Sequence, residues 1–310
     1  MALSTGSYAV SMNPGTLEER AALVALLRAQ PGGLSWQEIT SEVLQTGSAL
    51  EVWLRHAPNV LMPAPGDITP SSVAADVQWW LEQDYRFLTI MDPDYPEWLG
   101  GIHQAPPILF ARGTVVPDDQ GISIVGSRDA SPRGRSVAAD LARELVGGGL
   151  TVISGLARGI DTAAHRAALD AGGRTVAVMG TGINVAYPPE NSGLRDEIAE
   201  RGLVLSQFWP DAPPQKHTFL MRNATMSGYG LASVVVEAGE YSGARAQARM
   251  ALEHGRQVIL TQQVVARNEW AQAMLGRPAV HLADGVDAIL QVVEDIIAMW
   301  AEIREVVDPY

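Results

Sequence analysis

Three glycine-rich segments stand where an apolar run stops and an amphipathic pattern begins, and their residue types suit the holding of an anion. The first is Val125-Gly126-Ser127-Arg128, followed by Ser131-Pro132-Arg133-Gly134-Arg135. The second is Ser154-Gly155-Leu156-Ala157-Arg158-Gly159-Ile160-Asp161, and the third is Met179-Gly180-Thr181-Gly182. Glycine admits positive φ and lets a ligand approach the main chain closely. Amides at the start of the following helix then point at an anion. Three such junctions in one sheet predict a single phosphate-binding crevice, with Arg128 and Arg158 reaching the phosphates from the side. A lone junction of this kind is an ordinary strand-to-helix turn; three in register, two carrying arginine, make a site. The spacing departs from Gly-x-Gly-x-x-Gly, and no acidic residue closes the second strand to hold a ribose, which argues against NAD.

The elements that must position these segments follow from the hydrophobic pattern. Short strands are predicted at Phe87–Ile90 and Ile108–Ala111. An alternation follows: strand Ile122–Val125 and a helix over Pro132–Gly147, strand Thr151–Ser154 and a helix over Gly159–Ala171, strand Thr175–Met179, a helix over Ser192–Arg201, and strand Val204–Leu205. Ser233–Val236, Gln257–Leu260 and Ala279–His281 supply further strands with helices between them, and a helix over Val286–Glu302 closes the chain. Apolar strands alternating with helices predict an α/β fold, a mostly parallel sheet with helices on both faces. Its ligands would sit beyond the carboxyl ends of the strands. Upstream, Leu17, Ala21, Val24 and Leu27 lie at helical spacing, Pro31-Gly32-Gly33 ends that run, and Ser35 with Glu38 predicts a capping box. A helix over Ser72–Gln83 is expected, capped by Ser71 or Ser72. Pro58–Pro70 has the composition of a linker. The expected division is a helical region over 1–70 and an α/β region over 71–310.

Composition limits the chemistry. There is no cysteine, so disulfides, thiolate zinc sites and cysteine nucleophiles are excluded. Met1–Gly15 lacks the basic start and apolar stretch of a signal peptide and suggests a disordered lead-in. With no long apolar segment either, a cytoplasmic protein without a membrane span is expected. The net charge of −13 opposes nucleic-acid binding, yet the charge is uneven: 14 of the 22 basic and 13 of the 35 acidic residues lie in 121–260. Lys216 is the single lysine, so the basic chemistry is that of arginine, suited to bidentate phosphate contacts.

Other chemistries are weaker. Asp161 and His165 are four apart, on one helix face, and could form an acid–base pair or serve as a cap and a packed side chain. Glu237 ends an apolar strand and stands where a crevice residue should be. The histidines show no ligand spacing, so no metal is expected. No Gly-x-Ser-x-Gly elbow is present, and no lysine follows a glycine loop as a P-loop requires. Among the tryptophans, Trp209 is the best candidate to stack on a base; Trp79 and Trp80 fit alternate faces of one helix or packing between domains.

Several of these segments together resemble the DprA/Smf family of DNA-processing proteins. They are Ile124-Val125-Gly126-Ser127-Arg128, the run Ser154-Gly155-Leu156-Ala157-Arg158-Gly159-Ile160-Asp161-Thr162-Ala163-Ala164-His165, and Tyr187-Pro188-Pro189-Glu190-Asn191. Upstream, Asp92-Pro93-Asp94-Tyr95-Pro96-Glu97-Trp98-Leu99 and Pro106-Pro107-Ile108-Leu109-Phe110-Ala111-Arg112-Gly113 join them. The resemblance implies an extended Rossmann-like fold behind a small SAM-like helical domain. It also implies a homodimer that binds single-stranded DNA in natural transformation, protects it, and hands it to a RecA-type recombinase, without a cofactor and without catalysis. The family's pocket maps onto Gly126, Ser127, Arg128, Ser154, Gly155, Arg158 and Gly159; Gly180, Gly182, Arg222 and Asn223 complete the expected site. The chain departs from the family at Ala224, where a second arginine is typical, at Gln207, and at Ala244-Arg245. The alternative function is a nucleotide sensor or phosphoribohydrolase-like enzyme on the same fold, with Glu237 as its catalytic group.

Overall fold

The structure, a computed structural model, describes residues 15–57 and 66–307. The expected lead-in, apart from Gly15, and positions 58–65 of the expected linker lie outside the described residues. The chain divides into two compact units, one of residues up to Tyr95 with Pro106–Ile108, the other of Pro96–Ala105 with Leu109 onward.

The first unit holds helices α1 (Leu17–Ala29), α2 (Trp36–Thr46), α3 (Ala49–His56) and α4 (Pro70–Leu81), then strand β1 (Arg86–Thr89). The predicted capping box opens α2: Ser35 Oγ accepts from Glu38 N, and Glu38 accepts from Ser35 N at 2.8 Å. Helix α4 begins earlier than predicted. Thr69, not Ser71 or Ser72, is its cap, because Pro70 at the first helical position has its φ preset and lacks the N–H a helix start cannot use. Glu19 is buried in α1 and caps α3, accepting from Ser48 Oγ at 2.6 Å, Ala49 N at 2.7 Å and Leu50 N at 3.1 Å. Trp80 is buried edge-on against Phe87 while its helical neighbour Trp79, turned away from that contact, is half exposed. The sequence divides the chain at residue 70, but the compact unit continues to Tyr95. Arg28 pairs with Asp76, and Arg20 reaches both Asp92 at 2.6 Å and the carbonyl of Phe87, tying α4 and β1 to α1.

The second unit begins with the short α5 (Glu97–Gly100). Strands β2 (Ile108–Gly113) and β3 (Gly121–Gly126) follow, then α6 (Pro132–Gly147), β4 (Thr151–Ser154), α7 (Ile160–Asp170) and β5 (Thr175–Val178). Next come α8 (Ser192–Arg201), β6 (Leu203–Ser206), α9 (Lys216–Tyr229), β7 (Ala232–Glu237) and α10 (Gly243–Glu253). β8 (Gln257–Thr261), α11 (Gln262–Arg267), α12 (Glu269–Met274), β9 (Val280–Ala283) and α13 (Val286–Val307) complete it. Eight strands run in the order β2-β6-β5-β4-β3-β7-β8-β9. Every neighbouring pair is parallel except β2 with β6, where Phe110 faces Ser206 in antiparallel register.

Strand alternation splits the core between two faces. Ile122 and Ile124 point into a cluster with Ala138 and Leu141 of α6, Ala164 and Ala168 of α7, and Ile289 and Val293 of α13. Between them Ser123 points the other way and donates to the carbonyl of Met226 on α9. The chain winds outward from β3 through β4, β5 and β6 in one direction, and from β7 through β8 and β9 in the other. The loops after the adjacent strands β3 and β7 therefore diverge, and a crevice opens between them.

Glu19 is the test of how the helical unit holds together. Glu19→Ala removes a charged acceptor from three donors at the start of α3. It is expected to cost about 2–3 kcal/mol in chemical denaturation, with Glu19→Gln costing less because one acceptor oxygen remains.

Candidate functional site

The crevice at this switch point holds about 720 Å³. The loop after β3, Val125 to Asp129, forms one wall, and Gly239 to Gly243, after β7, forms another. Lys216, Phe219, Arg222 and Met226 of α9 line it between them. A smaller recess of about 180 Å³ shares Arg128, Phe219 and Arg222 with the crevice and adds Gly155, Arg158, Tyr187 and Glu190. Arg128 stands at the junction. Its guanidinium lies 5.3 Å over the ring of Phe219, which packs against Tyr187 at 5.4 Å between centroids.

Two glycines bring the first two loops together. Gly126 leaves room for Ile160, whose Cγ1 would lie 2.5 Å from an added Cβ. Gly159, at φ +78°, lies where a Cβ would strike the carbonyl oxygens of Ser127 and Arg128, and Ile160 N donates to Ser127 O at 3.2 Å. Ser154 sits beneath, buried, its Oγ donating to Ile124 O at 2.6 Å. Asn223 lines the crevice and donates to Gly243 O at 3.3 Å, linking α9 to the β7 loop.

Gly180 and Gly182 do not join the site. The ring of Phe219 fills the space beside Gly180, and the backbone of Trp209 and Pro210 crowds Gly182, whose N donates to Ala212 O. Both glycines exist for packing, and neither they nor Trp209 line the crevice or the recess.

Part of the predicted backbone-amide cradle is taken by the protein's own carboxylates and carbonyls. Asp161 Oδ2 accepts from Gly155 N at 3.1 Å and Ala157 N at 3.3 Å. Ser127 N donates to Glu237 O at 2.7 Å. The start of α6 is taken by Glu237, which accepts from Ser131 N at 3.0 Å and Ser131 Oγ at 2.5 Å, with Gln263 on the second oxygen at 3.3 Å. Burial pushes the Glu237 carboxyl up, but these hydrogen bonds outweigh it and hold the group below its ordinary value.

Arg222 faces inward. Buried at the floor, it donates through Nη1 to Gly155 O at 2.5 Å and Val178 O at 2.9 Å. Burial pushes its pKa down and that of Asp161 up; each charge partly offsets the penalty on the other. Asp161 and His165 form no pair: His165 Nδ1 lies 2.7 Å from Thr175 Oγ1, which spends its own hydrogen on Val152 O. What remains for an anion are side chains at the rim. Among the described residues neither Arg128 nor Lys216 has a carboxylate partner, and Arg158 meets Glu190 only at 3.7 Å with both groups more than half exposed.

A family model described as DNA recombination-mediator protein A matches residues 86–297, more than half of the chain and the whole of this crevice. The chain belongs to that family. Curated relatives include the DNA processing protein DprA of Bacillus subtilis (strain 168), 39% identical over 180 residues, which are 57% of this chain and 61% of that protein. DprA of Streptococcus pneumoniae is 40% identical over 182 residues, 57% of this chain and 63% of the relative. Protein Smf of Synechocystis is 38% identical over 183 residues, 57% and 46%. The matches thus span less than two thirds of these relatives. Among solved structures, S. pneumoniae DprA superposes with a TM-score of 0.69 at 27% identity, covering 89% of this chain and 98% of that one. Helicobacter pylori DNA processing protein A, whose structure was described for its single-stranded DNA binding mode, gives 0.61 at 23% identity, covering 69% and 97%, and supports the fold alone.

In this recombination-mediator family member, sequence reasoning missed Phe219, Tyr187 and Tyr241. A signal for the first existed: Lys216, Phe219, Arg222, Asn223 and Met226 fall at successive turns of one helix, so a face carrying a cation and an aromatic ring was written in the spacing. Tyr187 and Tyr241 lie in loops, where no periodicity marks direction.

Gly155→Ala puts a methyl group into the Arg222 guanidinium and is expected to cost about 1–3 kcal/mol by overpacking, read as a lowered Tm. His165 supplies a pH test. Burial, reinforced by the Arg222 charge, holds its pKa down to about 3. The folded state keeps the ring neutral while the unfolded chain takes up a proton below about pH 6.5, so this stability is whole above 6.5 and lost as pH falls toward 3. Between pH 7 and pH 5 the loss from this residue is about 2 kcal/mol, and His165→Gln should flatten the denaturation profile by that amount.

Proposed function

We propose that the crevice binds single-stranded DNA, with Arg128, Lys216 and Arg158 countering phosphates while Phe219 and Tyr187 offer their rings to unpaired bases. The observation that carries this reading is Arg128 poised over Phe219 at the junction of crevice and recess. A cation and a π face presented together suit a ligand that alternates phosphates with exposed bases. The glycines Gly126, Gly155 and Gly159 serve by letting the loops and the buried Arg222 approach one another; Ser127, Ser154 and Asn223 hold that arrangement. The DNA-processing names of the relatives support the same class of ligand.

In this reading the protein works in the cytoplasm as a homodimer that protects incoming single strands and delivers them to a RecA-type recombinase during natural transformation. No cofactor and no catalytic step are assigned. The hydrolase alternative depends on a free Glu237 carboxylate, whereas Ser131 holds both of its oxygens. The described residues contain no cluster able to hold a metal and no helix long and apolar enough to cross a membrane.

Fluorescence anisotropy of a labelled oligo-dT at two salt concentrations tests the reading. The wild type should bind more weakly as salt rises. Arg128→Ala with Arg158→Ala should weaken binding by about 100-fold or more, since each of the two lost hydrogen bonds to a charged group is worth about 1.5 kcal/mol or above. The log–log salt slope should flatten by about 1.4, roughly 0.7 for each single-strand phosphate that the protein no longer neutralises. Unchanged affinity in the double variant would sink the proposal.

A further inference from the structure

Tyr241, in the turn between β7 and α10, is 96% exposed. It is not exposed for want of structure around it. Ser242 N donates to Gly239 O at 3.1 Å, closing a turn with Glu240 and Tyr241 at its two central positions. Below the turn, the buried Asn268 donates to Ala238 O at 3.0 Å. Beside it, Glu240 accepts from Glu269 N at 2.9 Å, with Arg245 at 4.0 Å from the same carboxylate. On the far side Ser242 Oγ accepts from Ala244 N at 3.1 Å and starts α10. Backbone, amide and carboxylate groups thus hold the turn, and Tyr241, a lining residue of the crevice, presents a bare ring to solvent at its mouth.

Resting on the single-stranded DNA reading above, we propose that Tyr241 is a base-stacking residue. It would form an aromatic wall on the β7 side of the crevice for an unpaired nucleobase whose phosphates lie toward Arg128 and Lys216. A tyrosine has only two side-chain torsions to fix, so an aromatic on an anchored turn loses little entropy when a base covers it. The Glu240 charge beside it is already engaged by the Glu269 amide and Arg245, which lowers the repulsion a phosphodiester would meet at this rim. Every base has a π face, so such a wall reads no sequence and accepts any unpaired nucleobase.

The experiment compares the wild type, Tyr241→Ala and Tyr241→Phe for binding to a labelled oligo-dT and to an oligonucleotide of equal length made of abasic sugar-phosphate units. Tyr241→Ala should weaken oligo-dT binding roughly tenfold and Tyr241→Phe less than about twofold, as stacking needs the ring and not the hydroxyl. Neither change should alter binding of the abasic strand or the salt slope, and the exposed position leaves Tm unchanged. Equal oligo-dT affinity in wild type and Tyr241→Ala overturns the proposal alone, provided the Arg128, Arg158 double variant still loses binding. An equal loss on both strands also overturns it, since the effect is then not stacking. Absence of wild-type binding to either strand at low salt overturns the DNA reading and this proposal together.

Discussion

The candidate site depends on one buried charge. The Arg222 guanidinium, enclosed beneath the Gly155 loop, gives hydrogen bonds to the carbonyls of Gly155 and Val178, at the ends of β4 and β5. A buried cation is tolerable only when its donors are satisfied and an opposite charge is near, and Asp161 supplies that charge. The requirement propagates outward. Position 155 must be glycine because the guanidinium occupies the place of its side chain. Asp161 must turn back to the Gly155 and Ala157 amides, which sets the path of the second loop. Helix α9 is pinned across the strand ends, and that pinning places Lys216 and Phe219, carried on the same helix, at the crevice.

The loops that look in sequence like anion cradles are thereby self-capped. Asp161 fills two amides of the second loop and Glu237 one amide and one hydroxyl at Ser131, so the fold supplies its own anions where a dinucleotide fold would accept a pyrophosphate. The consequence is chemical. With several of its loop amides already engaged, the site keeps fewer donors for a single phosphate, and cations at its rim can track a chain of phosphates. The aromatic rings beside those cations then have a use that a small anion would not give them.

Much of the architecture was legible because it rests on local periodicity. The parallel strands, α6, α7 and α8, and the Ser35–Glu38 capping box all follow from spacing within a few residues. Gly126, Gly155 and Gly159 were also legible as positions where something comes close, although what comes close is protein: Ile160, the Arg222 guanidinium and the carbonyls of Ser127 and Arg128. What a side chain does at long range was not legible. Nothing near position 180 announces that Phe219, far along the chain, will cover it. Nothing around Arg222 says whether its guanidinium turns to solvent or to the carbonyls beneath it. The antiparallel β2 was hidden for the same reason, since strand direction is decided by a partner, β6, distant in sequence. The helical unit's extent escaped because its ties, Arg20 to Asp92 and Arg28 to Asp76, join residues far apart.

The net charge of −13 bears on this less than its size suggests. What a phosphate meets is the balance of unspent charge within about a Debye length, near 10 Å at 0.1 M salt. Around the crevice the carboxylates of Asp161, Glu237 and Glu240 are each spent on backbone amides, and Asp129 adds an exposed one at the rim. Arg128 and Lys216 are exposed, and among the described residues neither is paired with a carboxylate. A carboxylate that accepts amide hydrogens has part of its field cancelled by the dipoles it holds, whereas an unpaired guanidinium or ammonium keeps its own. An acidic protein can therefore carry exposed cations at a crevice, because its acids hold the loops in place while Arg128 and Lys216 stay unpaired at the rim.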